Sequence, residues 1–308
     1  MGEDRRSLRV DYDDNFLRNN ICSLKVSFIK QQGGAEGVKR LYADLGLALV
    51  ALIWGSTFPV VKIALDSMSP FAFNTVRFFI ACLFFLPFLK GWDFKDGFKI
   101  GIASFLGYTF QTVGLDYTTA TNAGFITSTY VVLAPIISWL VYKDVFDKRD
   151  VSGVLLAFVG FYFLSGYSGF NIGDILMLFC ALFFGAEIAM ISHYSRLSNP
   201  TMLAFWQSFA IFILSAPFAV FTTTKFEINT TVILCLLITA FFATFVAKML
   251  QNWLQSYTKS SDAAVILSLE GVFAHLFSVA VLAEILTPVQ YFGAFLILLA
   301  VIIVSLRV

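Results

Sequence analysis

Residues 45–65 read LGLALVALIWGSTFPVVKIAL, a run in which Lys62 is the single charged side chain. A bilayer core about 30 Å thick is crossed by about 20 apolar residues in helical form, because backbone polar groups cannot stay unpaired in hydrocarbon. This stretch therefore predicts a membrane-spanning α-helix.

Nine further apolar runs follow, and the gaps between them are too short for a soluble domain. The ten predicted spans are 45–65, 71–89, 98–115, 123–142, 151–167, 175–193, 202–221, 232–254, 263–282 and 289–306. Only 13% of the 308 residues are charged, against about 25% in soluble domains. The sequence thus predicts an all-α membrane protein of ten transmembrane helices, preceded by a tail, residues 1–43, that is either disordered or an amphipathic helix on the membrane surface.

The positive charges predict the orientation. With the N-terminus in the cytoplasm, 17 of the 21 Lys and Arg residues fall on the cytoplasmic side and only Lys225 falls outside. The remaining three, Lys62, Arg77 and Lys248, lie within spans. Because cytoplasmic loops carry an excess of Lys and Arg, both termini are expected in the cytoplasm of a cell-membrane protein.

The chain also matches itself when it is displaced along its own sequence. One displacement pairs Asp44 with Asp174, Gly55 with Gly185, Pro70 with Pro200 and Pro87 with Pro217. A slightly longer displacement pairs Gln111 with Gln251, Tyr117 with Tyr257, Ala123 with Ala263 and Gly153 with Gly293. These matches predict two repeats, 44–168 and 173–307, of five spans each. Five is an odd number, so the repeats are inverted, and two such halves can alternate around a site between them.

The residues resemble a known family. Residues 51–58, ALIWGSTF, the pair Arg77-Phe78, the stretch from Tyr117 through Pro135 to Asp144 and Gly153, and the related stretch 263–284 with Gly293 are similar to the EamA-type ten-helix branch of the drug/metabolite transporter superfamily. The resemblance covers 44–306 and implies a carrier of amino acids, metabolites or drugs. The long basic tail and the Lys143-Asp144 pair depart from the family pattern.

Several polar residues are predicted near the bilayer midplane. Counted from the cytoplasmic anchors Arg196 and Lys259, the side chains of Glu187, Lys248 and Glu270 lie roughly 13–17 Å deep. Ionisable groups at that depth are costly unless they face water, a partner or a ligand. We predict that a central cavity binds a small polar or zwitterionic solute and is lined by Trp54, Gln111, Tyr130, Glu187, Lys248, Gln251, Asn252, Glu270 and His275.

Structural roles stay open for these residues. Lys248 and a glutamate would also be explained by a buried ion pair that only locks helix packing. Trp54 and Tyr130 are equally compatible with apolar packing, and Arg77 with an anchor at the outer interface. His275 is either a group that couples transport to a proton or a hydrogen-bonded core residue.

The sequence favours a secondary transporter, with a small solute, the lipid bilayer and a coupling proton as partners and no cofactor. It contains no phosphate-binding Gly-rich loop for ATP and no motif of a common hydrolase, so an enzyme is not expected. The net charge of +1 does not suggest nucleic-acid binding. By analogy with the family, we expect export of an amino acid or related metabolite. The alternatives are an exporter of cationic drugs, a channel and an intramembrane enzyme.

Overall fold

The computed structural model describes residues 14–91, 94–143, 148–164 and 171–305, with the backbone alone at 14–39, 148–150, 154, 301 and 304–305. The chain divides into two units, Met1–Tyr42 and Ala43–Val308. Of the predicted tail, helical backbone is described from Asp14 onward. Residues 1–13, Asp144 and the end of the last predicted span lie outside the described residues.

Within these ranges the ordered structure is helical, and no strand occurs. The α-helices are α1 (Asp14–Leu65), α2 (Pro70–Phe85), α3 (Phe94–Tyr117), α4 (Ala120–Thr127), α5 (Tyr130–Tyr142), α6 (Lys148–Leu164), α7 (Ile172–Tyr194), α8 (Pro200–Thr222), α9 (Thr230–Ile238), α10 (Ala247–Leu254), α11 (Ser260–Leu267), α12 (Glu270–Leu282) and α13 (Pro288–Ser305). A π-helical segment, Thr239–Val246, joins α9 to α10.

The helix starts follow from local chemistry. Proline is the first residue of α2 and of α8, where its missing N–H costs no hydrogen bond. Asparagine precedes α7, α8 and α9, and in each case its side-chain oxygen accepts a hydrogen bond from a backbone N–H of the first turn. These caps satisfy donors that the helix itself leaves unpaired.

Seven helical stretches are long and apolar enough to cross a membrane. They are Arg40–Leu65, Pro70–Phe88, Ala120–Tyr142, Ile172–Tyr194, Pro200–Thr222, Thr230–Tyr257 and Ser260–Leu282. The third, fifth and tenth predicted spans coincide with α3, which carries charged residues near both ends, and with α6 and α13, whose apolar stretches are shorter. The chain is therefore a multi-pass helical membrane protein, whereas the number ten remains a prediction.

Two of the long stretches are broken at equivalent places. α4 gives way to α5 at Ser128 and Thr129, and α11 gives way to α12 at Ser268 and Leu269. Both stretches end on a residue with positive φ, Lys143 at 61° and Ala283 at 54°. Ser128 and Ser268 are as far apart along the chain as Gln111 and Gln251. The longer displacement of the sequence therefore places one break opposite the other.

The helices pack in pairs that leave apolar surface outside. α6 packs along α13, α3 lies against α7 and α8, and α4 lies against α12. Large apolar side chains remain exposed on the outer faces, among them Phe158, Leu276 and Phe292. Exposed apolar surface of this extent suits a lipid environment rather than water.

The Lys62 side chain caps the end of α3. Its ammonium donates to the carbonyl oxygens of Leu115 at 2.5 Å and Thr118 at 2.9 Å. Carbonyl groups in the last turn of a helix lack partners within the helix, and the helix dipole favours a cation there. Lys62 therefore fastens α1 to the C-terminal end of α3.

Removing this cap is expected to destabilise the protein. The Lys62→Met variant should lower the free energy of unfolding by about 1–2 kcal/mol, measured by thermal unfolding of the purified protein in detergent. Lys99→Met is the matched control, because Lys99 is exposed. Its contacts, the ion pair with Asp96 at 3.1 Å and the Tyr194 ring, whose centre lies 5.5 Å away, are of types that contribute little at an exposed site. Equal effects of the two substitutions would contradict the capping role.

Two loops are joined by backbone hydrogen bonds. The loop between α1 and α2 meets the loop between α8 and α9: Ser69 N–H donates to the Lys225 carbonyl and Glu227 N–H to the Ser67 carbonyl, both at 2.9 Å. The Ser69 hydroxyl also accepts from the backbone N–H groups of Thr224 and Lys225. We call this contact, between residues 67–69 and 224–227, the loop clasp.

Candidate functional site

A cavity with about 540 Å³ of space between its side chains lies among α1, α2, α3, α5, α7, α10 and α12. Its freely accessible part is narrow, with room for only about two water molecules. The polar lining residues are Trp54, Thr57, Arg77, Tyr108, Gln111, Tyr130, Glu187, Lys248, Gln251 and Glu270. In this conformation the cavity has no room for a molecule larger than a few waters.

The cavity contains one buried ion pair. The Lys248 ammonium of α10 donates to Glu187 Oε1 of α7, and the two side chains are only 1% and 3% exposed. The same ammonium lies 5.4 Å from the ring centre of Trp54 and 5.2 Å from that of Tyr108. Aromatic faces attract cations, so Lys248 is held by a carboxylate and by aromatic rings together.

A second cation in the cavity, Arg77 of α2, has no such carboxylate. Its Nε donates to the Thr244 hydroxyl at 2.9 Å, and its guanidinium lies over the rings of Phe78 and Tyr108, 5.2 and 5.0 Å from their centres. No carboxylate of the described residues forms an ion pair with it. The charge of Arg77 is therefore buried and met only by neutral groups.

A second carboxylate, Glu270 at the first position of α12, is likewise 3% exposed and forms no ion pair within the described ranges. Its Oε1, the Tyr130 hydroxyl and Gln251 Oε1 make no hydrogen bond within 3.5 Å to the described residues, although the Tyr130 hydroxyl and the Glu270 carboxyl group lie close enough to interact. Buried polar atoms almost always have partners, and those that lack one in a cavity are the atoms that a ligand would satisfy.

The π-helical segment between α9 and α10 positions two of the lining side chains. Thr244 donates to the carbonyl of Thr239, five residues earlier, and accepts from Arg77. The indole N–H of Trp54 donates to the Ala243 carbonyl at 2.9 Å. π-Helical segments are rare in proteins, but those that occur often lie at functional sites. They redirect carbonyl groups and side chains out of the regular helix.

The structure brings together seven of the nine sequence-predicted residues: Trp54, Gln111, Tyr130, Glu187, Lys248, Gln251 and Glu270. Asn252 and His275 do not line this cavity. The Asn252 side chain instead accepts from the Gln207 amide at 2.8 Å. His275 is half-buried, with Nδ1 3.4 Å from the Thr121 hydroxyl and its ring near Phe125.

Two lining residues, Arg77 and Tyr108, were not among the predicted site residues. The presence of an arginine inside an apolar span was the available signal for Arg77. Counting residues along the second predicted span, however, places Arg77 near the outer end of that span, which favours the anchor at the outer interface. The burial of its guanidinium excludes the interfacial-anchor role.

A wider cavity, with about 1120 Å³ of space, lies beside the C-terminal end of α7 and the start of α11. His193, Arg196 and Lys259 contribute to its lining. The N-terminal end of α7 lies on the same side as the clasp. Asp174, near that end, accepts a hydrogen bond from the Thr118 hydroxyl at 2.6 Å. Thr118 in turn lies at the end of α3 that Lys62 caps, and Lys62 is near the end of α1 that leads into the clasp. A helix of 23 residues is about 35 Å long, so this cavity and the clasp lie at opposite ends of α7.

Known proteins resemble this chain along most of its length. A family model described as the EamA-like transporter family matches residues 41–166 and again 171–306. An uncharacterized transporter of Bacillus subtilis, YetK, is 27% identical over 288 residues, which cover 86% of this chain and 87% of that protein. An uncharacterized transporter of Archaeoglobus fulgidus is 31% identical over 153 residues, covering 43% of this chain and 51% of that protein. A solved crystal structure has a similar fold, with a TM-score of 0.66 at 15% identity, covering 86% of this chain and 96% of the other.

Proposed function

Since this chain belongs to the EamA-like transporter family, we propose that it is a secondary transporter that exports a small polar metabolite, an amino acid or a related compound, by alternating access. Family membership confirms the resemblance drawn from the sequence and makes the chain a membrane transporter. The solute class, the outward direction, the mechanism and the coupling ion are the parts that we propose.

One observation carries the proposal. Two ionisable groups of the buried cavity, Arg77 and Glu270, form no ion pair within the described residues, and oxygens of Glu270, Tyr130 and Gln251 lack a direct hydrogen bond. Such groups are costly in a membrane unless a ligand or a proton meets them. A small polar solute would supply the missing partners during its passage.

The proposed architecture is ten spans in two inverted halves. It is supported by the two matches of the family model and by the helix breaks at Ser128 and Ser268, which recur at equivalent positions of the two repeats. The positive charges support cytoplasmic termini. With that orientation the clasp lies outside, and the wider cavity beside His193, Arg196 and Lys259 opens to the cytoplasm. This arrangement suits a conformation closed outside, from which a cytoplasmic solute would be loaded.

Counterflow in proteoliposomes tests the proposal. Vesicles loaded with amino acids, nucleosides or organic cations are given the labelled solute outside at two pH values. Saturable, trans-stimulated uptake of amino acids is expected, with faster exchange at one pH if a proton is coupled. Exchange of organic cations alone would favour the drug-exporter alternative, and no exchange of any class would reject transport of these solutes and favour an intramembrane enzyme.

The buried carboxylates are expected to be required for exchange. Glu187→Gln and Glu270→Gln should each reduce the initial counterflow rate at least about 10-fold, because a lost charge-assisted contact is worth about 1.5–3 kcal/mol. Asp96→Asn is the control, since that carboxylate lies at the surface and pairs with the exposed Lys99. Full transport by both cavity variants would remove these residues from the mechanism.

Locking the clasp is expected to stop transport. Met68 and Phe226 form an isolated antiparallel bridge, in which Cα atoms lie about 4.5–5.5 Å apart, within disulfide range. Oxidation of the Met68→Cys/Phe226→Cys variant should reduce exchange at least about 10-fold, and reduction should restore it, because the outer end could no longer open. Each single variant, treated with the same oxidant, controls for the native cysteines. Undiminished exchange by the cross-linked protein would show that the clasp stays closed during transport.

A further inference from the structure

The two unpaired charges of the central cavity have opposite signs. Lys248 forms its ion pair with Glu187 and acts on Glu270 only from a greater distance, so Arg77 and Glu270 are the cation and the carboxyl group of the lining that have no ion-pair partner. Within the described residues these two do not form an ion pair with each other. A ligand that neutralises both must itself carry one negative and one positive group.

The free edge of Arg77 suits a carboxylate. Its Nε is fixed by Thr244, and its planar face lies over the rings of Phe78 and Tyr108. The terminal nitrogens, which lie beside Tyr108, carry four of the five N–H donors of a guanidinium, more than one neighbouring hydroxyl can accept from. Two parallel N–H groups on such an edge match the two oxygens of a carboxylate.

The surroundings of Glu270 suit an ammonium group. Glu270 Oε1 and Gln251 Oε1 are acceptors without donors, and the Tyr130 hydroxyl, also unpartnered, is able to accept. All three side chains are at most 3% exposed. An ammonium has three N–H donors and no acceptor, so it is the kind of group that matches a lining rich in acceptor oxygens.

We propose that the cavity binds a zwitterionic solute in a fixed orientation, with its carboxylate on Arg77 and its ammonium on Glu270, Gln251 and Tyr130. The proposal rests on the transport function proposed above and assigns its selectivity to two residues. The side chain of the solute would lie against the apolar part of the lining, which includes Phe58, Val61 and Ile188.

Matched ligands separate the two subsites. For three carbon skeletons, binding to the purified protein is measured by ligand-induced thermal stabilisation, a readout that follows affinity. Each set contains an amino acid, the amine without its carboxylate and the acid without its ammonium. The sets are L-alanine with ethylamine and propanoate, L-leucine with 3-methylbutylamine and 4-methylpentanoate, and L-phenylalanine with phenethylamine and 3-phenylpropanoate.

For at least one skeleton, the amino acid should bind the unmodified protein at least 10-fold more tightly than its amine or its acid. Arg77→Gln should remove the advantage over the amine while amine binding persists, and Glu270→Gln should remove the advantage over the acid while acid binding persists. Arg77→Lys should retain part of the carboxylate preference and provides a second variant if Arg77→Gln does not fold. Lys99→Gln and Asp96→Asn, which remove charges at the surface, should preserve every preference.

Other results would overturn the assignment. If Arg77→Gln weakens the amino acid and its amine by the same factor, Arg77 only shapes the cavity. If amines or acids alone bind the unmodified protein as tightly as amino acids, or if no set binds, the solute is not a zwitterion of this kind. Saturable counterflow of nucleosides or organic cations would then still support a transporter, so the two proposals fail separately.

Discussion

Replacement of Lys248 by methionine is expected to lower the free energy of unfolding by about 3–5 kcal/mol and to abolish exchange. The substitution leaves the Glu187 carboxylate buried without its cation, and breaking a buried ion pair from one side is strongly destabilising. Methionine retains most of the length of the lysine side chain, so the loss of charge is the main change. Thermal unfolding in detergent measures stability, and counterflow in proteoliposomes measures exchange.

The double variant Lys248→Met/Glu187→Gln separates packing from function. It removes both charges, so most of the lost stability should return. If the ion pair only fastens α7 to α10, exchange should return as well. If the pair takes part in binding or in the conformational cycle, the double variant should be stable and inactive. A Lys248→Met protein as stable as the unmodified one would contradict the burial of the pair.

Addition of one methyl group at Gly55 is expected to reduce exchange at least about 10-fold and to cost about 1–3 kcal/mol of stability. A Cβ at this position would lie 2.5 Å from Phe273 Cβ and 2.7 Å from the Glu270 carbonyl oxygen. Because a backbone atom cannot rotate away, Gly55→Ala must push α1 from the start of α12, where Glu270 lies. Exchange and thermal unfolding measure the two effects.

Gly46→Ala on the same helix is the matched control. The Cβ that it adds would meet only the end of the Leu254 side chain, which is able to change its rotamer. We expect near-normal exchange and stability from this variant. Similar losses from the two glycine substitutions would mean that α1 tolerates no added volume anywhere, rather than that it supports Glu270 specifically.

The sequence predicted the helical membrane class because bilayer thickness sets a simple length requirement for apolar runs. It also indicated helix ends where chemistry marks them, as at Pro70 and Pro200. It did not indicate the breaks at Ser128 and Ser268, since the apolar runs continue across them. The π-helical segment was equally invisible, because its single shifted turn changes hydrogen bonding rather than composition.

Depth counting predicted which polar side chains share a level but not the direction in which each one points. Neighbouring residues on a helix point about 100° apart. Gln251 therefore lines the cavity, whereas Asn252 turns to Gln207. The burial of Arg77 in the cavity lining was missed for a related reason, since a distance counted along the backbone ignores the direction and reach of a long side chain.

The loop clasp bears on how populations of two conformations are balanced. When the clasp opens, the groups of its two backbone hydrogen bonds bind water instead of each other. Each bond between protein groups is more favourable by about 0.5–1.5 kcal/mol, so together the two favour the closed form by about 1–3 kcal/mol. In the alternating-access cycle that we propose, this contribution alone would leave roughly one molecule in 5 to 150 open, before the Ser69 contacts are considered. A ligand that binds the open form more tightly by a similar factor would suffice to reverse the balance. These two hydrogen bonds join main-chain groups. Substitution of the loop side chains should therefore change their contribution to the free-energy difference between the closed and the open form only a little.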